Sequence, residues 1–226
     1  MLATAPLCVA GPAWAQVGLS ASLQSDYQYR GHSLSDRRPV VGLSLSYDHP
    51  SGAYAGVSLS APDASDSERR LAVIDYAGYA RRLMAGLALD VGVTDANIIS
   101  YKVPKRRVEY QEVYAGLIGD HVSFHAHYSP NYLHSGSSTL YADLAGAVRP
   151  TPDTRLFAHF GALTPLVGPQ VEGSRKVRYD ASLGVARRFQ HAELSLSWTT
   201  TFPAVVLANG QGQDRDTLVV GAAYFF

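Results

Sequence analysis

The sequence lacks most features that would mark an enzyme, a nucleic-acid-binding protein or a helical membrane protein. Its 226 residues contain one cysteine, Cys8, which excludes a disulfide framework within the chain. Basic and acidic residues balance at 19 each, so the charge gives no indication of a nucleic-acid partner. No run of about 18 apolar residues occurs, so a membrane-spanning helix is not expected. Phosphate-binding, dinucleotide-binding and metalloprotease motifs are missing, and we expect no cofactor.

Tyrosine and glycine are abundant instead. The chain contains 14 tyrosines and 20 glycines but few lysines, a composition that disfavours a helical protein. Its mean hydropathy of −0.04 resembles that of a soluble protein. Strands that alternate between an apolar and a polar face average to a similar value, so the hydropathy does not exclude a membrane barrel.

The clearest structural signal lies near the start of the chain. Apolar residues alternate with small or polar ones over residues 17–24, as in a strand with one apolar face. The alternation continues to Arg30, with Tyr27 and Tyr29 on the apolar face. The resulting strand has about fourteen residues, whereas a membrane-spanning strand needs about 9–11. The sequence therefore predicts a membrane-spanning strand whose polar face lines a barrel interior.

Further alternating segments follow along the whole chain. They cover residues 41–48, 53–61, 71–81, 83–94, 108–118, 122–133, 139–149, 155–164, 177–189, 192–202 and 217–226. Short connections at 50–52, 81–82, 119–121, 150–154 and 190–191 alternate with longer ones, as in outer-membrane barrels. Residues 16–226 are therefore predicted to form an all-β fold, a transmembrane antiparallel up-and-down β-barrel of about 12 strands. A soluble β-sandwich remains as an alternative, which the strand lengths disfavour.

The first fifteen residues have the pattern of a secretory signal peptide. An apolar core from Leu2 to Ala10 precedes the small-residue site Ala13-Trp14-Ala15. The usual basic residue at the start is missing, so we expect the natural start to lie upstream. Removal of residues 1–15 would leave a mature chain without cysteine, which is compatible with an oxidising compartment.

Several motifs together resemble those of the TorF-type porins of Gram-negative outer membranes. The main one is Ser25-Asp26-Tyr27 followed by Arg30-Gly31, Ser33 and Ser35, and weaker matches lie at 51–56, 112–116, 128–132 and 179–185. The resemblance implies an outer-membrane β-barrel that acts as a pore. It also implies contact with outer-membrane lipid and lipopolysaccharide, and passage of small polar solutes.

Charged and polar residues on the inner faces are the candidates for lining the pore. A Lys or Arg facing lipid at the midplane costs about 2–4 kcal/mol, so charges are expected inside the barrel. The candidates are Asp26, Arg30, Asp75, Glu112, Tyr114, His127, Asp143, Arg178 and Asp180. Such residues set solute selectivity in channels, or pair across the lumen as a structural network. Both signs are present in similar number, so we expect a weakly selective pore for passive diffusion.

Two other functions remain open at this stage. His127 and Ser129 have the residue types of a barrel-type lipid hydrolase, in which histidine activates the serine hydroxyl. Alternation, however, directs both into the lumen, so we do not expect an enzyme. The second alternative is a closed barrel with a structural or adhesive role. A metal site formed by His125, His127 and His159 has no supporting spacing signature, and we expect no metal.

Two further features suggest partners. Tyr224 and Phe226 share the apolar face of the last predicted strand, and we expect the outer-membrane assembly machinery to read them. The basic residues Lys102, Lys105, Arg106 and Arg107 fall on a predicted outer loop. They would either hold lipopolysaccharide phosphates or form an ordinary solvated loop.

Overall fold

The computed structural model describes residues 15–35, 37–62, 70–100, 106–132, 136–167, 177–202 and 216–226. These contain the strands β1 (Gln16–Gln24), β2 (Gln28–Tyr29), β3 (His32–Ser33), β4 (Val40–Asp48), β5 (Ala53–Pro62), β6 (Arg70–Met84), β7 (Leu87–Ser100), β8 (Arg106–Gly119), β9 (Val122–Ser129), β10 (Ser138–Thr151), β11 (Thr154–Val167), β12 (Arg178–Phe189), β13 (Ala192–Phe202) and β14 (Asp216–Phe225). The expected signal peptide, apart from Ala15, and the loop residues Lys102 and Lys105 lie outside the described residues.

Strands β1 and β4–β14 form a closed antiparallel barrel, in which each pairs with its neighbours in the chain. The barrel closes between the first and last strands, with Ser20 opposite Phe225 and Gln24 opposite Gly221. Closure removes the unpaired strand edges that lipid would not tolerate. Among the described residues twelve strands take part, so the predicted strand number and topology are confirmed.

The outer face of the barrel is apolar and exposed. Examples are Leu43 and Leu45 on β4, and Leu194, Leu196 and Trp198 on β13. Such side chains recur around the outer surface, as expected for a surface that contacts the hydrocarbon of a bilayer. In the described part of the chain, no helix is long and apolar enough to cross a membrane.

Short turns lie at the end of the barrel that carries both described termini. They join β4 to β5, β6 to β7, β8 to β9, β10 to β11 and β12 to β13, as the pattern predicts. The turn expected at Arg81 and Arg82 is wrong, because β6 runs on to Met84 and the chain turns at Ala85 and Gly86. Gly86 has a φ of 73°, a left-handed conformation that glycine adopts without strain.

The first predicted strand is too long. β1 ends at Gln24, and the following residues fold as the short β2–β3 hairpin, paired by Gln28 with Ser33 and Tyr29 with His32. Arg30 and Gly31 form its tip, with φ values of 47° and 70°. Consecutive left-handed residues produce a tight hairpin turn, which a periodic pattern does not reveal.

The hairpin points into the barrel rather than away from it. Tyr29 packs against a buried cluster that includes Tyr110 of β8, with their ring centroids 6.1 Å apart. Asp26 fixes the base of the hairpin, because it accepts hydrogen bonds from the hydroxyls of Ser33 at 2.6 Å and Ser35 at 2.8 Å. Tyr29 therefore lies inside, and its predicted position on the outer apolar face is wrong.

Candidate functional site: the barrel lumen

Strand alternation and the inward hairpin together bring most of the predicted pore-lining residues into the lumen. Six of them lie on inward faces of barrel strands: Glu112, Tyr114, His127, Asp143, Arg178 and Asp180. Asp26 and Arg30 reach the interior on the hairpin, and Asp26 is almost completely buried. The lumen is therefore lined by polar groups from both the barrel wall and the hairpin.

Asp75 lies on the outer face, so its predicted place in the lumen is wrong. It pairs with Val57 of β5 and Asp95 of β7 and shares its face with the exposed Tyr79. The apolar residues of β6 fix which face is outside, and Asp75 falls within their register. Asp95 pairs in turn with Gln111, so a polar row crosses the outer surface of three strands. This polar row interrupts the apolar outer face.

Arg30 crosses the lumen from the hairpin tip to β8. Its guanidinium donates two hydrogen bonds of 2.7 Å to the two carboxylate oxygens of Glu112. The side chains are only 6% and 2% exposed. The guanidinium also lies 4.0 Å from the ring centroid of Tyr141 on β10, a cation–π contact. The hairpin is thus attached to two separate parts of the barrel wall.

His127 lies between two carboxylates. Its Nδ1 is 3.8 Å from a carboxylate oxygen of Glu112, and its Nε2 is 3.4 Å from Asp143 Oδ1. Neither nitrogen has hydrogen-bond geometry to any described residue, and the same is true of Asp143 Oδ1. Ser129 lies two residues further along β9 with its side chain fully buried, and its Oγ also has no such partner among them.

Asp180 and Asp90 each bind one tyrosine and one histidine. Tyr141 Oη donates to Asp180 at 3.2 Å, and His159 Nε2 lies 3.0 Å from the same carboxylate. At Asp90, the hydroxyl of Tyr54 donates to one oxygen, and His125 Nε2 lies 3.1 Å from the other. Arg178, the first residue of β12, instead contacts His32 of the hairpin at 2.8 Å.

Several inward rings lie directly over glycines of the neighbouring strand. Gly78 is paired with Tyr54, and Gly92 is paired with Tyr114. A Cβ at either glycine would come within 2.4 Å of the tyrosine hydroxyl oxygen. Phe157 covers Gly184 in the same way, at 2.3 Å. Glycine therefore lets these rings lie flat against the wall instead of extending across the lumen.

Sequence reasoning missed the partnership of these residues. Nothing in the local sequence pairs Tyr54 with Asp90 or Tyr141 with Asp180. His159 was considered only as a metal ligand. The sequence shows only that these strands carry inward polar residues. To assign which of them contact each other, the register of the barrel strands is needed.

The geometry does not form the pair that a lipid hydrolase needs. Since neither ring nitrogen of His127 is hydrogen-bonded to a described residue, it does not accept a proton from Ser129 in this arrangement. Both side chains are buried inside the barrel, away from the lipid surface. No group of three or more histidine, cysteine, aspartate or glutamate residues in the described ranges is arranged to hold a metal ion.

Comparisons with known proteins agree with this architecture. A family model described as "Bacterial protein of unknown function (Gcw_chp)" matches residues 10–215. No curated protein matches the sequence.

The fold is similar to those of solved porins and channels. The NanC porin aligns with a TM-score of 0.61 and 9% identity, over 92% of this chain and 99% of that chain. An outer-membrane channel from Pseudomonas putida F1 aligns with a TM-score of 0.53 and 15% identity, over 96% and 97%. The KdgM porin, solved in complex with disordered oligogalacturonate, aligns with a TM-score of 0.52 and 10% identity, over 93% and 99%. At these identities the likeness establishes the fold, that of an outer-membrane β-barrel.

Proposed function

The chain belongs to the Gcw_chp family, and we propose that it is a narrow channel for passive, weakly selective diffusion of small polar solutes across the outer membrane. One observation carries the proposal. The closed barrel has an apolar outer face, and its inner face is polar beyond the buried cluster around Tyr110 as well. On β4 and β5, for example, the inward Ser44 and Ser58 hydroxyls lie 3.0 Å apart. Hydroxyl and carboxylate groups of this kind replace part of the water around a passing solute.

The size of the barrel supports a narrow channel. Twelve strands enclose more space than the side-chain-filled barrels of about 8 strands, and less than porins of about 16. The Arg30–Glu112 pair and the tyrosines around it restrict this space further. We therefore expect passage of ions and small neutral molecules and exclusion of larger oligomers.

The family resemblance adds a finer assignment to this proposal. The motif Ser25-Asp26-Tyr27 with Arg30-Gly31, Ser33 and Ser35, which resembles that of TorF-type porins, includes the inward hairpin. We propose that the chain acts as a channel of this type. Outer-membrane lipid, lipopolysaccharide and the assembly machinery remain its proposed partners.

A closed barrel is the second candidate, and it too has a specific observation in its favour. The hairpin is attached to β8 by a buried bidentate pair, with aromatic rings packed around it. If this attachment is permanent, solutes do not pass and the barrel serves a structural or adhesive role. The two candidates differ in conductance alone.

Planar-bilayer recording of the purified, folded barrel tests the proposal. We expect small, stable current steps in potassium chloride, and swelling of proteoliposomes in small sugars but not in large oligosaccharides. The same preparation after boiling is the control, and altered gel mobility on boiling verifies that the barrel was folded. A folded barrel that remains silent would reject the channel and favour the closed barrel.

A further inference from the structure

Charged residues are unevenly distributed along the inner wall. Four inward arginines lie within three residues of the short turns: Arg82, Arg149, Arg155 and Arg188. The inward carboxylates there are Asp48 and Glu193. Further from these turns, the described strands carry four buried inward carboxylates, with Arg178 of β12 on the same inner face: Asp90, Glu112, Asp143 and Asp180. Charge is balanced in the whole sequence, but the middle part of the lumen, between the short turns and the longer loops, is mainly acidic.

Arginine compensates only one of these four carboxylates. Within the described residues, Glu112 has Arg30 as its partner, whereas Asp90 and Asp180 have tyrosine and histidine. Asp143 has His127 at 3.4 Å. None of these three aspartates is bonded to an arginine or lysine among the described residues, and all three are shielded from water. At short range and low dielectric, such charges attract cations and repel anions strongly.

The second observation concerns unused hydrogen-bonding capacity beside Asp143. Both nitrogens of His127, the hydroxyl of Ser129 and Oδ1 of Asp143 have no hydrogen-bond partner among the described residues. These three residues are 4%, 0% and 5% exposed. Buried polar atoms normally have partners, so the neighbouring Nε2 of His127 and Oδ1 of Asp143, which lack one, indicate a place built to receive a ligand.

We infer that His127 and Asp143 form a transit site for a small monovalent cation, and that the channel prefers cations to anions. A carboxylate oxygen and an imidazole lone pair can each replace a water molecule of a hydrated cation. No group of three histidine, cysteine, aspartate or glutamate side chains in the described residues is arranged to hold a metal, so the site suits a weakly held, partly hydrated ion rather than a resident metal. This inference rests on the proposed channel function.

The test is the reversal potential of the purified channel in a potassium chloride gradient. We expect potassium to be several-fold more permeant than chloride. Asp143→Asn, which keeps the shape and removes the charge, should lower this preference. Asp75→Asn is the matched control, because Asp75 carries the same charge on the outer face of the barrel and should leave the reversal potential unchanged.

The outcomes separate this inference from the proposed function. Open channels without cation preference, or with an Asp143→Asn variant as selective as the parent, would overturn the inference and leave the channel intact. A folded but silent barrel would contradict the channel and with it the inference. If Asp143→Asn does not show heat-modifiable gel mobility, Asp90→Asn provides the second variant, and it should lower the preference as well.

Discussion

Arg30 and Glu112 are 82 positions apart in the chain and joined by two hydrogen bonds of 2.7 Å inside the barrel. Arg30 is held at the tip of the β2–β3 hairpin with a φ of 47°, while Glu112 belongs to the wall strand β8. The pair therefore connects the inward hairpin to a strand of the barrel wall. Its effects on stability and on conductance can be measured separately.

Removing one partner of this buried pair should destabilise the barrel. In Arg30→Met, Glu112 keeps its charge without its partner, and such losses cost about 3–5 kcal/mol. Urea unfolding in detergent micelles measures the change. Arg155→Met is the matched control, since Arg155 bonds Glu193 at 2.8 Å with side chains 25% and 20% exposed. Exposed pairs contribute about 0–1 kcal/mol, so equal losses in the two variants would contradict the assignment.

The same attachment should limit the current. Arg30→Ala removes both the hydrogen bonds to Glu112 and the contact with the Tyr141 ring, so the hairpin is held less firmly against the wall, although His32 still contacts Arg178. We expect a larger unit conductance or more time in the open state in single-channel recordings. Arg155→Ala again serves for comparison and should leave conductance close to that of the parent. A decrease in Arg30→Ala would mean that Arg30 keeps the lumen open.

Gly92 should be intolerant of even the smallest side chain. A Cβ there would lie 2.4 Å from the hydroxyl oxygen of Tyr114 and 2.6 Å from the backbone oxygen of Ala77, so strand and ring must both move. We expect Gly92→Ala to lower the unfolding midpoint in urea and to reduce conductance, because the displaced ring enters the lumen. Gly146→Ala is the control, with its nearest atom at 3.4 Å. Equal changes in unfolding midpoint and conductance in the two variants would show that Gly92 is not needed for the Tyr114 ring to lie against the wall.

The barrel itself could be predicted because its strands are amphipathic over nearly their whole length. The pairing of β1 with β14 follows once twelve alternating segments must close in lipid. The prediction from alternating residues is wrong where the backbone departs from a strand. Up to Arg30 the residues still alternate, but the left-handed Arg30 and Gly31 reverse the chain. Periodicity carries no information about such a turn, so Tyr27 and Tyr29 were placed on the outer face.

The lumen was predicted less completely than the wall. Most inward charges were identified because charge is excluded from the lipid face, but Asp75 breaks that rule on the outer face of β6. The partners of each carboxylate depend on contacts across the interior between distant strands. Asp180 of β12, for example, binds Tyr141 of β10, and no local pattern encodes that distance.

The buried serine should have no catalytic role. We expect the purified barrel to hydrolyse neither phospholipid nor lipid A, and Ser129→Ala to behave like the parent in the same assay. The physical reason is that Ser129 is fully buried in the lumen without a hydrogen-bonded base among the described residues. Turnover by the parent that disappears in Ser129→Ala would overturn the channel assignment in favour of a hydrolase.

The aromatic residues at the seam of the barrel lead to the last prediction. Phe226 is 72% exposed, its ring lies 5.0 Å from that of Tyr224, and its backbone N–H donates to Leu19 of β1. If Tyr224 and Phe226 are what the assembly machinery reads, Phe226→Ala should strongly reduce the amount of barrel inserted in the outer membrane. Phe189→Ala removes another exposed aromatic, at the end of β12, and should reduce it little. Quantifying heat-modifiable protein in isolated outer membranes decides the question, and equal insertion of the two variants would show that Phe226 acts only as an ordinary lipid-facing residue.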